Sequence, residues 1–249
     1  MDDQHLTKDE KKKLRQQEWQ QQLDAESKKK LRNRILTWGI GALILVFAVW
    51  FLAVVMNPSN TPSTNPTATI KMPPVTSSDI QTGNPNAPLT LVEYADFQCP
   101  SCGAYYPIVK QIQQAFGSKL RFVYRFFPLV TIHQNALVSA EAAYAANKQG
   151  KFWQMHDYLF EHQQDWSSDQ NARDTMVKYA GTLGLNQDTF QKDLNDPATE
   201  KAIKASMDSA LAINLQGTPS FFINGTFIST NPNGYDDFKA LLQAKLNNQ

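Results

Sequence analysis

Cysteine is nearly absent from this sequence: Cys99 and Cys102 are the two thiols in 249 residues. Two are too few for a disulfide-stapled secreted scaffold, which links distant segments through several bridges. A structural zinc site is also poorly served, since it needs four ligands and no second Cys-X-X-Cys pair is present. Histidine occurs at positions 5, 133, 156 and 162, and His156 and His162 are six apart, outside the usual ligand spacing of about three to five. These histidines read as helix-packing or surface residues, with His133 placed where it could approach the cysteine pair. An excess of basic charge is missing from the larger part of the chain. Residues 1–34 carry ten Lys/Arg against seven Asp/Glu, whereas residues 81–249 carry thirteen against fifteen. That part has no electrostatic footprint for nucleic acid. There is no internal repeat, and the Asn/Asp-rich stretch Ser229–Asp237 lacks EF-hand spacing.

Long hydrophobic runs are scarce as well, and the exception is informative. Ile35–Met56 is 22 residues without a charge, enough as a helix to reach about 33 Å and cross a bilayer core of about 30 Å. A cleaved signal has a shorter apolar core followed by a small-residue cleavage site, so the expectation is a retained transmembrane helix over 35–56. "KKKLRNR" (Lys28–Arg34) precedes it, and Lys71 is the lone cation close behind it. The positive-inside rule then places a basic tail, residues 1–34, in the cytoplasm and the rest outside a bacterial cell membrane. Residues 57–79, rich in Pro, Ser, Thr and Asn, read as a semi-extended linker.

The folded part starts near Ile80. "LTLVEYA" (Leu89–Ala95) has strand character, Pro100 suits a first helical position, and the helix after it runs to Gly117 with a kink expected at Pro107. "LRFVYRFFPL" (Leu120–Leu129) reads as a second strand, giving a βαβ unit. A helical region extends from about 131 to 215, where apolar residues recur at helical spacing. "SFFI", Asn224-Gly225 and "TFIS" form a hairpin with a strong two-residue turn signal, and Tyr235–Leu246 closes the chain as a helix.

The pair itself has three possible roles: structural clip, part of a metal site, or redox couple. At the junction of strand and helix, free N–H groups and the helix dipole stabilise a thiolate on Cys99. Cys102, three residues on, shares its helix face, so the sulfurs can meet. The ring they close is too small to constrain much unfolded chain, which weakens the clip. A reactive couple remains, with Cys99 attacking and Cys102 resolving the mixed disulfide.

Two stretches carry a family resemblance. "VEYADFQCPSC" (Val92–Cys102) and "GTPSFFINGTF" (Gly217–Phe227), flanking a helical block, resemble the signatures of DsbA-like disulfide oxidoreductases of the thioredoxin superfamily, especially the membrane-anchored BdbD type. The resemblance covers about residues 80–249. It implies an α/β thioredoxin fold (βαβ…ββα) with an inserted helical domain, here preceded by the transmembrane helix. It implies a cis peptide bond at Thr218-Pro219 beside the sulfurs, leaving backbone free to pair with an extended peptide. Pro100, Ser101, Thr218 and Pro219 would then form the substrate-binding surface. Glu93 falls at the family's buried acidic position and would exchange protons with Cys102; read without the family, it ends a strand or pairs with a lysine. Asp96 reads as a cap or turn residue. Ser101 stands where the strongest oxidants of the family carry His, so an oxidant short of that extreme is expected, with a potential above the roughly −270 mV of thioredoxin.

The resulting expectation is a membrane-anchored extracytoplasmic thiol-disulfide oxidoreductase that introduces disulfides into folding exported proteins. It needs no cofactor beyond the Cys99–Cys102 disulfide. The resemblance implies reoxidation by an integral membrane quinone reductase of the DsbB or VKOR type. Two alternatives stay open: an isomerase or reductase kept reduced, and an anchored binding or chaperone module whose thiols are incidental.

Overall fold

The computed structural model describes Phe47 and residues 70–248. The expected tail (1–34), the membrane helix (35–56, Phe47 apart) and the linker as far as residue 69 lie outside the described residues. Among the described residues no helix is long and apolar enough to cross a membrane.

Five strands form one mixed sheet: β1 (Ile80–Gly83), β2 (Leu89–Ala95), β3 (Leu120–Phe126), β4 (Ser220–Ile223) and β5 (Thr226–Phe227), in the order β1-β3-β2-β4-β5. β2 and β3 run parallel, with Glu93 opposite Tyr124, and are joined through helix α1 (Pro100–Phe116). β4 runs antiparallel to β2, with Glu93 opposite Phe221. Strands β2, β3 and β4 are buried on both faces, which is why they read as nearly continuous apolar runs. The hairpin turn has both central residues at positive φ, Asn224 at 48° and Gly225 at 78°, as the Asn-Gly signal requires. Asn224 also ties the turn to β2: its Oδ1 accepts from the Thr90 N–H at 2.7 Å.

One face of the sheet packs on α1 and the C-terminal helix α8 (Tyr235–Asn247) through Leu91, Val109, Ile112, Phe122, Phe221 and Phe238. The insertion comprises α2 (Ala136–Lys148), α3 (Phe152–Glu161), the short α4 (Gln163–Trp166), α5 (Ala172–Thr182), α6 (Gln187–Leu194) and α7 (Pro197–Ala212). Helix α2 buries five alanines at its centre, small side chains that let neighbouring helices approach closely. Phe97, Tyr124 and Phe126 join this second core and weld the insertion to the sheet. The opposite face of the sheet is covered by α7 and by residues 70–75, around Val92, Tyr94, Val123 and Phe222.

Three expectations are corrected. The linker was expected to reach residue 79, but 70–79 is docked: Arg125, buried in β3, binds Asp79 and the carbonyls of Pro73 and Pro74. A buried guanidinium must fill its donor sites, and this segment supplies them. The second strand stops at Phe126, since Pro128 has no N–H to donate. Residues 127–135 form a loop, so the helical block starts at Ala136 rather than 131, and it ends at Ala212 rather than 215. Helix α1 runs without a break from Pro100 to Phe116, with Pro107 inside it.

Candidate active site

The chain leaves β2 at Ala95 and turns through Asp96–Gln98 into α1. Asp96 makes that turn. Its Oδ1 accepts from the Gln98 N–H at 2.8 Å, and its carbonyl accepts from the Cys99 N–H at 3.1 Å. Its Oδ2 accepts from the Leu129 N–H at 2.9 Å and lies 2.7 Å from His133 Nδ1. One buried carboxylate thus fixes both the turn before Cys99 and the loop after β3, more than the turn role expected of it. His133 does lie next to this turn.

Cys99 is the N-cap of α1, with extended backbone (φ −67°, ψ 121°), and Pro100 takes the first helical position, where a missing N–H costs nothing. Cys99 is 6% exposed as a residue and Cys102 is fully buried. Pro100 and Ser101 are exposed beside them. The Thr218-Pro219 peptide bond is cis, and the Cys99 sulfur lies 3.4 Å from the Thr218 carbonyl oxygen, to which it donates only while protonated. Asn231 Nδ2 holds the Pro219 carbonyl at 2.8 Å, and a cleft of about 500 Å³ opens between Gln216–Ser220 and Ile228–Asn231. From the insertion, Gln163 Nε2 donates to the carbonyls of Phe97 at 2.6 Å and Cys99 at 2.9 Å.

The electrostatics of the two sulfurs diverge. A hydrogen bond from the Cys102 thiol does most to lower the Cys99 pKa; burial opposes it, and the Thr218 side chain and the N–H groups of Cys102 and Ser101 add to the lowering, leaving it at about 5. Cys102 is pushed well above the ordinary range by burial, by the bond it gives to Cys99, and by the charges of Glu93 and Cys99. Glu93 shares the face of Leu91 and Ala95, by the alternation of β2. Burial, and then the Cys99 charge, raise its carboxyl to about 8. Near neutrality the reduced site therefore holds a thiolate at Cys99, a thiol at Cys102 and a carboxylic acid at Glu93. Tyr124, opposite Glu93 in the register, is likewise raised by burial and by Cys102.

Sequence reasoning did not find Gln163, which lies 64 residues from Cys99 and belongs to no local pattern. Gly103 offered a faint signal: a glycine in a helix interior asks for a close approach.

A sequence profile of the thioredoxin family matches residues 76–244. Among solved structures, oxidised BdbD of Bacillus subtilis superposes with a TM-score of 0.63 at 24% identity, covering 72% of this chain and 98% of that one. Alpha-DsbA1 of Wolbachia pipientis gives 0.63 at 20% identity, covering 71% and 94%. At those identities the likeness speaks for the fold alone. A thioredoxin-like oxidoreductase of Silicibacter pomeroyi gives 0.56 at 27% identity, covering 70% and 92%. Among curated relatives, the Na+/H+ antiporter NhaA 3 of Salinispora tropica is 41% identical over 143 residues, which is 57% of this chain. The match spans about a fifth of that antiporter's length (21%).

Proposed function

The chain belongs to the thioredoxin family, and from that membership we propose that it is a DsbA-like thiol-disulfide oxidoreductase that donates the Cys99–Cys102 disulfide to folding exported proteins. The observation that carries this reading is the asymmetry of the two sulfurs, one held near pKa 5 and the other pushed far up. A sulfur that is stable as thiolate is a good leaving group, and its stability favours the reduced form of the couple, which makes the disulfide an oxidant.

In the oxidised protein a substrate thiolate attacks Cys99 Sγ. The Cys99–Cys102 bond breaks, a substrate–Cys99 disulfide forms, and the electron pair leaves on Cys102, which takes the proton carried by Glu93. A second substrate thiolate then attacks the substrate sulfur of the mixed disulfide, and Cys99 departs as thiolate. The substrate gains a disulfide and the chain gains two electrons. The extended peptide is held against Thr218 and Pro219, with Pro100 and Ser101 flanking it. For the next turnover Cys99 attacks a disulfide of the reoxidase, and Cys102, having returned its proton to Glu93, resolves the intermediate. A quinone-linked membrane reoxidase of the DsbB or VKOR type suits a domain tethered to the outer face of the membrane by a helix over 35–56.

Two experiments test this. Oxidised protein mixed with reduced, unfolded ribonuclease should restore its disulfides, and Cys102→Ala given ribonuclease with scrambled disulfides should accumulate a Cys99-linked mixed disulfide, a substrate thiolate leaving as Cys99 attacks. Failure of both would remove the reading. In cells, the full chain should stay in the membrane pellet after alkaline carbonate washing; release into the supernatant would remove the anchor while leaving the redox chemistry intact.

A further inference from the structure

We propose that Gln163 is a positioning residue for the sulfur centre, with Gly103 as the notch that admits it. Helix α1 is entered through two carbonyls, Phe97 and Cys99, that bracket the turn before the thiols. One nitrogen, Gln163 Nε2, donates to both, at 2.6 and 2.9 Å. The Cys99 carbonyl also accepts the first helical bond, from the Gly103 N–H at 3.1 Å. A carbonyl oxygen is the negative end of a dipole, and an amide that holds two of them keeps them away from the thiolate. With those peptides fixed, the N–H groups of Ser101 and Cys102 stay on the Cys99 sulfur, where they help to lower its pKa.

The clamp is reciprocal. Gln98 Nε2 donates to the Ser167 carbonyl at 2.7 Å, while its Oε1 accepts from the Asn135 N–H at 2.6 Å. The Ser167 N–H in turn donates to the Gln163 carbonyl at 3.1 Å. Insertion and catalytic turn are thereby tied at both ends of the Gln98–Cys99 step.

Gly103 explains why the approach is possible. A Cβ on it would lie 2.5 Å from Gln163 Oε1 and 3.1 Å from its Cδ, inside contact distance. The clash falls on the end of a flexible side chain, so an alanine there would swing the amide aside rather than disrupt the fold. Glycine inside a helix costs about 1 kcal/mol relative to alanine, and here it gains the clamp.

This inference rests on the redox reading above, so the test separates the two. The thiolate absorbance of reduced, full-length protein is titrated against pH for wild type, Gln163→Ala, Gly103→Ala and the double variant. Gln163→Ala and Gly103→Ala should each raise the Cys99 midpoint by about one unit, a tenfold loss of thiolate stabilisation. In the double variant the alanine at 103 should add no further shift, since the two act through one contact. Gly103→Ala should do this while the fold is kept, since helix propensity offsets part of the two lost hydrogen bonds; a merely structural role for Gln163 would move the melting temperature and leave the midpoint in place. If both single variants keep the wild-type midpoint, the inference is overturned. If Gln163→Ala does not fold, Gly103→Ala decides alone. A wild-type midpoint like that of an ordinary cysteine would instead remove the redox reading itself.

Discussion

At Glu93 a carboxyl group is kept protonated near neutrality by burial in the sheet and by the negative charge of Cys99. Its value follows from what it can hand over. Glutamine at that position keeps shape and neutrality but cannot release a proton, so Glu93→Gln should slow attack on the Cys99–Cys102 disulfide by roughly a hundredfold, the low end of general acid–base contributions. Stopped-flow reaction with a model dithiol measures this, and an unchanged rate would assign the proton to solvent. A stability consequence follows with a definite sign. The folded pKa is about 8 against an ordinary 4.5, so between those values the folded chain keeps a proton that the unfolded chain has lost. Stability therefore falls as pH rises from 4.5 to 8. Relative to wild type, reduced Glu93→Gln should gain on the order of a few kcal/mol at pH 8 and almost nothing at pH 4.5. Urea midpoints at the two pH values decide it, and equal differences would show that Glu93 is solvated.

Helix α3 shows how an element can be readable while its role is not. His156 sits on its buried side, ringed by Phe97, Tyr124, Phe152, Trp153 and Phe160 at centroid distances of 5.1 to 5.8 Å. Its Nδ1 meets Asp157 at 2.9 Å, and its Nε2 is buried without a hydrogen-bond partner among the described residues. Burial lowers its pKa, with Lys110 assisting and Asp157 opposing. The folded chain thus holds the imidazole neutral, whereas the unfolded chain takes up a proton below its ordinary 6.5, so stability drops as pH falls through that value. His156→Phe keeps a ring in the aromatic cluster and should flatten the loss of stability between pH 7 and 5.5, read from urea midpoints. A slope identical to wild type would mean that another group causes it. Helical periodicity revealed α3 as an element, but the pairing of its histidine with Phe97 and Tyr124 depends on tertiary contact. The strands β2 and β3, helix α1 and the Asn-Gly hairpin were legible because their signals are local. Strand β1 was not, since "IQTG" offers a single large apolar residue and pairs only at the sheet edge. The loop over 127–135 was mistaken in part for strand and in part for helix because its shape is imposed by Asp96, more than thirty residues earlier. Both thiols were visible as a motif. Gln163 was not, because nothing near it in sequence marks its partner.

Across the whole described domain, the sheet is closed on one side by a segment that composition assigned to a linker. Arg125 is the reason. Its guanidinium, 8% exposed, binds both carboxylate oxygens of Asp79, the Tyr94 hydroxyl at 2.8 Å and the carbonyls of Pro73 and Pro74. Asp79→Ala would leave that cation buried without its counter-ion and should cost about 3–5 kcal/mol. Amide exchange over residues 70–79 should quicken more than elsewhere in the domain. If thermal stability and exchange both stay at wild-type levels, the segment is not anchored by this pair. The same docking places residues 70–79 in the described domain rather than in the linker expected there.

The proposed function requires a couple that is easier to reduce than that of a general thiol reductant. Equilibration of residues 70–249 with defined ratios of reduced and oxidised glutathione reads this directly. The account predicts a potential clearly above the about −270 mV of thioredoxin, within the range of protein disulfide oxidants. A value at or below that figure would contradict it, because Cys99 could not then be the stabilised thiolate on which electron flow from substrate depends.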